Sequence, residues 1–467
     1  MTAAGELRPV VVGAGPAGVR AAQTLVAHGL RPVVIDEAPR AGGQIYRRPP
    51  ASLAQRNAKT LYGFESKRAD ALHAAFDGLC GRIDHQPDSL VWNAQDRQLD
   101  VMHGPTHGSR QVPYSHLIVA TGATDRVLPV PGWTLPGVYT LGGAQVALKF
   151  QGCAIGRRVV FMGTGPLLYL VAYQYAKAGV EVAAVLDTAR LSDQVAAAPA
   201  MLTQPAVFAK GVYYVGWLRA NGVALHSGVR PLRVTGDGTQ GRVTGVAWQD
   251  GGKERTLDCD AVGFGYALRS ETQLADLLGC RFEYAPLHRS HLPVRDAAGR
   301  SSIAGVYLAG DGAGIMGADA AEWAGERAAL ALLADNGIAV EAERAAQLEH
   351  RLGRLAGFRR GLERAFPVPH DWAAHAPDDL VVCRCENVTA GTLRQTVAGA
   401  GADELNRLKA LSRVGMGRCQ GRMCGVAAAE ILAHATQQPL QQVGRLRGQA
   451  PIKPIPIRLV PADRSGA

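Results

Sequence analysis

One pattern occurs twice in this chain, and it restricts the possible folds more than any other feature. Pro9–Val12 (PVVV) is a short apolar run, followed by the glycine-rich turn GAGPAG at 13–18, a helix-forming segment VRAAQTLVAHG that closes on Gly29, and a further apolar run, RPVVIDE. A run apolar on both faces suits a parallel strand buried in a sheet, and Gly29 is placed to end the helix. At Arg158 the order returns as RVVFMGTGPLLYLVAYQYAKAGVEVAAVLD. Two strand–turn–helix–strand units imply an α/β protein with two Rossmann-like domains.

The first turn has the residues a dinucleotide needs. Gly13 permits the tight bend, Gly15 lets a pyrophosphate approach the backbone, and Gly18 lets helix and sheet pack closely. Ala14, Pro16 and Ala17 complete the turn, and the free N–H groups of the helix N-terminus attract phosphate. Asp36 ends the next strand, with Glu37 beside it, and its spacing from Gly18 is that at which a carboxylate takes ribose hydroxyls. In the second turn Gly163, Gly165 and Pro166 keep the pattern and Asp187 closes the strand, but Leu168 replaces the third glycine. A nucleotide at this second site stays open: NAD(P), an ATP-like adenine nucleotide, or none.

Two later strand ends repeat the theme. HLIVATG delivers Ala120, Thr121 and Gly122 to a sharp turn, and VYLAGD delivers Gly310 and Asp311. A helix expected to start near Gly317 places Ala318, Asp319 and Ala320 at its N-terminus, where negative charge is stabilised. The first domain is therefore expected to be discontinuous, 1–125 and 263–340, with the second, 126–262, inserted in it and carrying a helical excursion at 191–222. That excursion is a candidate cover for the second site or a partner contact. A helical and Pro-rich linker is expected at 341–379, a small helical domain at 380–436, and an extended basic tail at 437–467.

With 467 residues, 47% hydrophobic and 19% charged, about three cores can form. No stretch has the roughly 20 unbroken apolar residues of a membrane span, and the N-terminus lacks the pattern of a signal peptide. A cytoplasmic protein with reduced thiols is expected; peripheral membrane association stays open. The net charge is +10, and from Thr436 onward Arg445, Arg447, Lys453, Arg458 and Arg464 stand against Asp463 alone. No nucleic-acid motif accompanies this tail, so a solvated or packed tail is expected and no nucleic-acid partner.

The order GAGPAG…DE…GGQ…ATG…GxGP…GD resembles that of the glutathione- and thioredoxin-reductase architecture over residues 8–335. The resemblance implies FAD at residues 13–18, Asp36, Gly43 and Gln44, 120–122, and Gly310 with Asp311, with the N-terminus at 318–320 facing the flavin ring. One departure matters. Disulfide reductases need a close cysteine pair facing the flavin, and none occurs before Cys383. Cys80, Cys153, Cys259 and Cys280 are expected to be ordinary buried thiols.

Cys383 and Cys385 form C-x-C, and further along Cys419 and Cys424 form C-x4-C. This spacing resembles the [2Fe-2S] module of the bacterioferritin-associated ferredoxin type, for which four thiolates are the ligand set. Structural zinc is the alternative. Arg384, Arg418 and Arg422 lie beside these ligands, Thr389 is a candidate N-cap, and Cys424 opens a helix. The whole arrangement resembles the flavoprotein (A or α) subunit of heteromeric FAD-dependent amino-acid and opine dehydrogenases, of the opine oxidase, D-hydroxyproline dehydrogenase and hydrogen cyanide synthase type. That resemblance implies that an amino-acid-oxidase-like, FAD-containing partner subunit oxidises the substrate. This chain would then relay electrons to a small ferredoxin-like subunit or another acceptor. The histidines are scattered, and no side chain is nominated as catalytic. The alternative is a self-contained NAD(P)H-dependent reductase.

Overall fold

A computed structural model describes residues 7–53, 62–238, 241–456 and 460–461. The two repeats build two five-stranded sheets. The first runs Val306–Leu308, His116–Val119, Pro9–Val12, Val33–Ile35, Asp84–Gln86, parallel throughout. Val10, Val11, Val34, Leu117 and Ile118 are all fully buried, as a sheet covered on both faces requires. One cover is the helix Pro16–Ala27, which packs on Ala318–Asp335. Small residues bring these helices into backbone contact: a Cβ on Gly325 would collide with the Ala17 carbonyl.

The second sheet runs Ala224–Ser227, Glu181–Asp187, Arg158–Thr164, Ala261–Tyr266, Val138–Thr140, again parallel. The domain limit expected at 262/263 therefore falls inside a strand, because Ala261–Tyr266 pairs along its length with 159–164. The chain returns to the first domain only after Tyr266, through the antiparallel pair Ala123–Asp125 and Leu268–Ser270. The excursion at 191–222 forms two helices, Leu191–Met201 and Pro205–Ala220.

The stretch expected to be a linker is packed. Ala342–Ala365 lies along Leu191–Met201, with Phe358 and Ala365 buried against Ala197 and Met201. Trp372 Nε1 donates to the Pro129 carbonyl at 2.8 Å. Beyond it, the pair Val381–Cys383 and Val388–Thr389 precedes the helices Ala390–Ala400, Leu405–Ser412 and Gly425–Thr436. Thr389 caps the first of these by accepting from Thr392 N at 3.2 Å, and Cys424 occupies the N-cap of the last. The module does not stand apart: Leu393, Leu408, Ala427 and Ile431 share one continuous core with Trp133, Met162 and Phe264 of the second domain.

The tail is an extended strap. Ile452 is buried and its N–H donates to the Trp92 carbonyl at 3.0 Å, and Val460–Pro461 pairs with the strand Gly108–Pro113. Arg445 and Arg447 both reach Asp276, at 2.7 and 3.3 Å. Arg458, Asp463 and Arg464 lie outside the described residues. Among those described, no helix is long and apolar enough to cross a membrane.

Candidate functional site

The first glycine turn closes on the ATG turn. A Cβ on Gly13 would collide with the Ala120 carbonyl, and one on Gly18 with the carbonyl of Gly13. Gly15 differs: its Cβ would meet only Gly43 Cα, at 3.6 Å, so its bare backbone lines open space at the helix N-terminus, with Pro16 as the first helical residue. The Ala14 carbonyl accepts from Gly42 N at 2.8 Å, tying the segment of Gly43 and Gln44 to the turn. Asp36 accepts from Ala38 N at 2.7 Å and also from Ala14 N. Burial raises its pKa against the pull of these amides. Glu37 pairs with Lys453 of the strap.

Gly310 and Asp311 stand at the end of the neighbouring strand. A Cβ on Gly310 would lie 2.9 Å from the Ala17 Cβ, so this turn abuts the first one. Asp311 Oδ1 accepts from Met316 N at 2.8 Å and Gly317 N at 3.0 Å, which fixes the loop leading to the helix at Ala318. Ala320 is buried there, and Asp319 pairs with Arg68 at 2.6 Å. The expected residues around 13–18, 36, 43–44, 120–122 and 310–320 thus converge, and the glycine cradle fits a dinucleotide pyrophosphate. A residue that sequence reasoning missed lies alongside: Lys149 is buried, donates to the Ile45 carbonyl at 3.4 Å, and is pushed down to about 8 by burial.

The second turn keeps its backbone but not its acid. Gly163 is as confined as Gly13, since a Cβ there would collide with the Gly265 carbonyl. Gly165 caps the helix that begins at Pro166. Leu168 is fully buried in the domain core. Asp187, also fully buried, accepts from Tyr169 Oη at 2.8 Å, Ala189 N at 2.9 Å and Gln194 Nε2 at 3.4 Å. Burial pushes it up to about 6. Unlike Asp36, which keeps partial exposure, it has no surface to present to a ribose.

The four C-terminal cysteines come from the two ends of the module and are near enough to shift one another's titration: Cys383 with Cys424, Cys424 with Cys419, Cys419 with Cys385. The neighbouring Cys424 thiol, opposed by burial and aided by backbone amides, lowers Cys383 to about 6 and Cys419 to about 5, while Cys424 is pushed up. The chain crowds here, since a Cβ on Gly417 would collide with the Cys385 Cβ. Among the described residues, no three or more His, Cys, Asp or Glu side chains are grouped so as to hold a single metal ion. Elsewhere the expectation for thiols needs correcting. Cys259 and Cys280 are buried, but Cys80 and Cys153 are exposed, because both lie in loops just past helical segments.

The three arginines expected beside the cysteines differ in placement. Arg418 is exposed, and Arg384 stacks over the Trp133 ring, 5.6 Å from its centre. Arg422 reaches away from the thiols to Glu271, with Nε and Nη2 donating to the two carboxylate oxygens at 2.7 and 3.1 Å. Burial would raise Glu271, but Arg422 and Arg269 outweigh it and hold the carboxyl below its usual value. Glu271 N donates to the Gly122 carbonyl at 2.9 Å, and Thr121 Oγ1 donates to the Glu271 carbonyl at 2.7 Å. One residue therefore grips the ATG turn with its backbone and the cysteine loop with its side chain. Gln273 Nε2 adds a bond to the Gln420 carbonyl at 2.5 Å.

Residues 7–325 match the pyridine nucleotide-disulphide oxidoreductase family, and residues 380–464 match the sarcosine oxidase A3 domain. The chain thus belongs to the pyridine nucleotide-disulphide oxidoreductase family, whose domain implies FAD. Within it, the chain is 36% identical to the A subunit of opine oxidase from Agrobacterium tumefaciens, covering 96% of this chain and 90% of that one. It is likewise 36% identical to hydrogen cyanide synthase subunit HcnB of Pseudomonas aeruginosa, covering 97% of each. It is a member of the family of these oxidoreductase subunits. The crystal structure of L-proline dehydrogenase from P. horikoshii shares the fold, with a TM-score of 0.69 and 18% identity over 97% of this chain and 78% of that one.

Proposed function

We propose that this chain is the electron-carrying subunit of a multi-subunit dehydrogenase that oxidises an amino acid or an opine. The bond-breaking step occurs on an amino-acid-oxidase-like, FAD-containing partner. This chain takes the electrons and passes them to a small ferredoxin-like subunit or another acceptor. The observation that carries the reading is Glu271, which holds the dinucleotide cradle and the cysteine loop in one fixed relation.

The cradle residues would hold FAD. Gly13, Gly15 and Gly18 would admit its pyrophosphate, Asp36 would take ribose hydroxyls, and the helix N-terminus at Ala318 would stabilise negative charge on the ring. Cys383, Cys385, Cys419 and Cys424 would hold a [2Fe-2S] cluster. Four thiols from C-x-C and C-x4-C are the number of ligands that a [2Fe-2S] cluster takes, and chemical analysis for iron, sulfide and zinc separates that reading from structural zinc. A bound flavin exchanges electrons in pairs or singly and such a cluster carries one at a time, which is the chemical reason for joining them. Arg422 and Glu271 fix the loop, and the amides of Gly421 and Met423 at Cys419 favour thiolate.

The partner has a candidate landing surface. Leu191, Val195, Val207, Val212 and Tyr213 on the two helices, with Leu202 in the turn between them, stand exposed, the kind of apolar surface that another chain covers. The NAD(P)H-reductase alternative is disfavoured by Asp187, which is fully buried where Asp36 is not. The test is an anaerobic assay of the purified chain with dye acceptor, with and without its partner subunit. The proposal expects amino-acid or opine oxidation only with the partner and no rapid bleaching of flavin by NADH or NADPH. Full turnover by this chain alone, or fast bleaching by either nucleotide, would defeat it.

A further inference from the structure

Between the first domain and the cysteine module lies a cavity of about 120 Å³, several times the space of roughly 10–15 Å³ that one water requires. Its walls include four arginines, Arg126, Arg269, Arg289 and Arg445, and one carboxylate, Glu430. Two of the arginines are already answered. Arg445 pairs with Asp276 at 2.7 Å, and Arg289 with Glu430 at 2.6 Å.

The other two have no carboxylate in hydrogen-bond contact among the described residues. Arg126 is only 4% exposed; its Nη2 donates to a neutral acceptor, the His288 carbonyl, at 2.7 Å, and Glu363 and Glu430 attract it only from a distance while bonded to Arg359 and Arg289. Arg269 Nε is buried without any hydrogen-bond partner, as is Arg289 Nε. Glu271 attracts Arg269, but both its oxygens are taken by Arg422. Burial lowers the pKa of both groups, Arg126 to about 10, and both remain cations at neutral pH.

Burying a guanidinium with no anion in hydrogen-bond contact is costly, and planar forks with spare N–H groups match the oxygens of a tetrahedral oxyanion. We propose that the cavity is an oxyanion site for phosphate or the phosphate group of a monoester, held between Arg126 and Arg269. A second, more open hollow shares the walls Tyr284, Arg289, Glu430 and Leu440 and is lined by His370 and His434, so an ester's organic part has space next to the site.

The test is isothermal titration calorimetry of the full chain, as purified, in chloride buffer of matched ionic strength. Inorganic phosphate is one titrant and ribose 5-phosphate the other. Saturable binding of either at one site per chain is expected, weakened at least tenfold in Arg126→Met. Tighter binding of the ester would assign the outer hollow to its organic part, and equal affinities would assign the free ion. Arg126→Lys keeps the charge but loses the fork; it is expected to bind at an intermediate level and covers the case in which the methionine variant does not fold. Heats of dilution alone with both titrants would overturn the proposal. So would affinities unchanged in both variants.

Discussion

Replacing Asp187 by asparagine tests whether this carboxylate is an interior group of the second domain or a ligand-facing one. The side chain is fully buried, and burial outweighs the bonds from Ala189 N and Tyr169 Oη, lifting it from 3.8 to about 6. The folded value lies above the unfolded one. Stability from this group is therefore complete below about pH 4 and is lost as pH rises through 6. The difference of about two units, at 1.36 kcal/mol each, makes the ionised carboxylate cost on the order of 3 kcal/mol at pH 8. Asparagine keeps the shape: its oxygen can accept from Ala189 N, and its amide can donate to the Tyr169 oxygen and, once the Gln194 amide turns over, to Gln194 Oε1. Urea unfolding of both proteins at several pH values should show Asp187→Asn close to wild type near pH 4. By pH 8 it should be more stable by about 3 kcal/mol. A difference that does not vary with pH would refute the reasoning, as would a loss of stability at pH 8.

Gly18→Ala should abolish flavin retention, because the added methyl meets the Gly13 carbonyl and must displace the turn; flavin released on denaturation, measured by fluorescence, should fall at least tenfold. Glu271→Gln leaves Arg422 without its anion. Breaking a buried pair costs about 3–5 kcal/mol, so amide exchange at residues 419–425 should accelerate at least about 100-fold by mass spectrometry, and unchanged exchange would contradict the clasp. Cys385→Ser removes one thiol of the four and should lower the iron content of anaerobically purified protein well below that of wild type.

What could be read in advance was what local chemistry dictates. Gly13 and Gly18 announce a strand-to-helix turn because only a missing Cβ fits there, and their neighbours in sequence are their neighbours in space. The cysteine spacing was legible for the same reason, as were Thr389 and Cys424 as helix caps. The role of Asp187 was not: nothing in sequence says that Tyr169, on the preceding helix, points its hydroxyl at that carboxylate. Glu271 and Arg422 are 151 residues apart, and Glu271 carries no motif that marks it as a link. The strand Ala261–Tyr266 reads as apolar in either domain, so only its pairing with 159–164 places the domain limit after it. Cys80 and Cys153 look like core thiols by residue type, and their exposure follows from loops that composition does not reveal.

The central claim is that this subunit carries electrons through its own flavin and a cluster on Cys383, Cys385, Cys419 and Cys424. The most direct test is chemical analysis of anaerobically purified protein for iron, acid-labile sulfide and zinc, with an electron paramagnetic resonance spectrum after reduction by dithionite. The account predicts about two irons and about two sulfides per chain and a spin-half signal of the [2Fe-2S] kind. Stoichiometric zinc on these thiols, or the absence of both iron and sulfide, would contradict it.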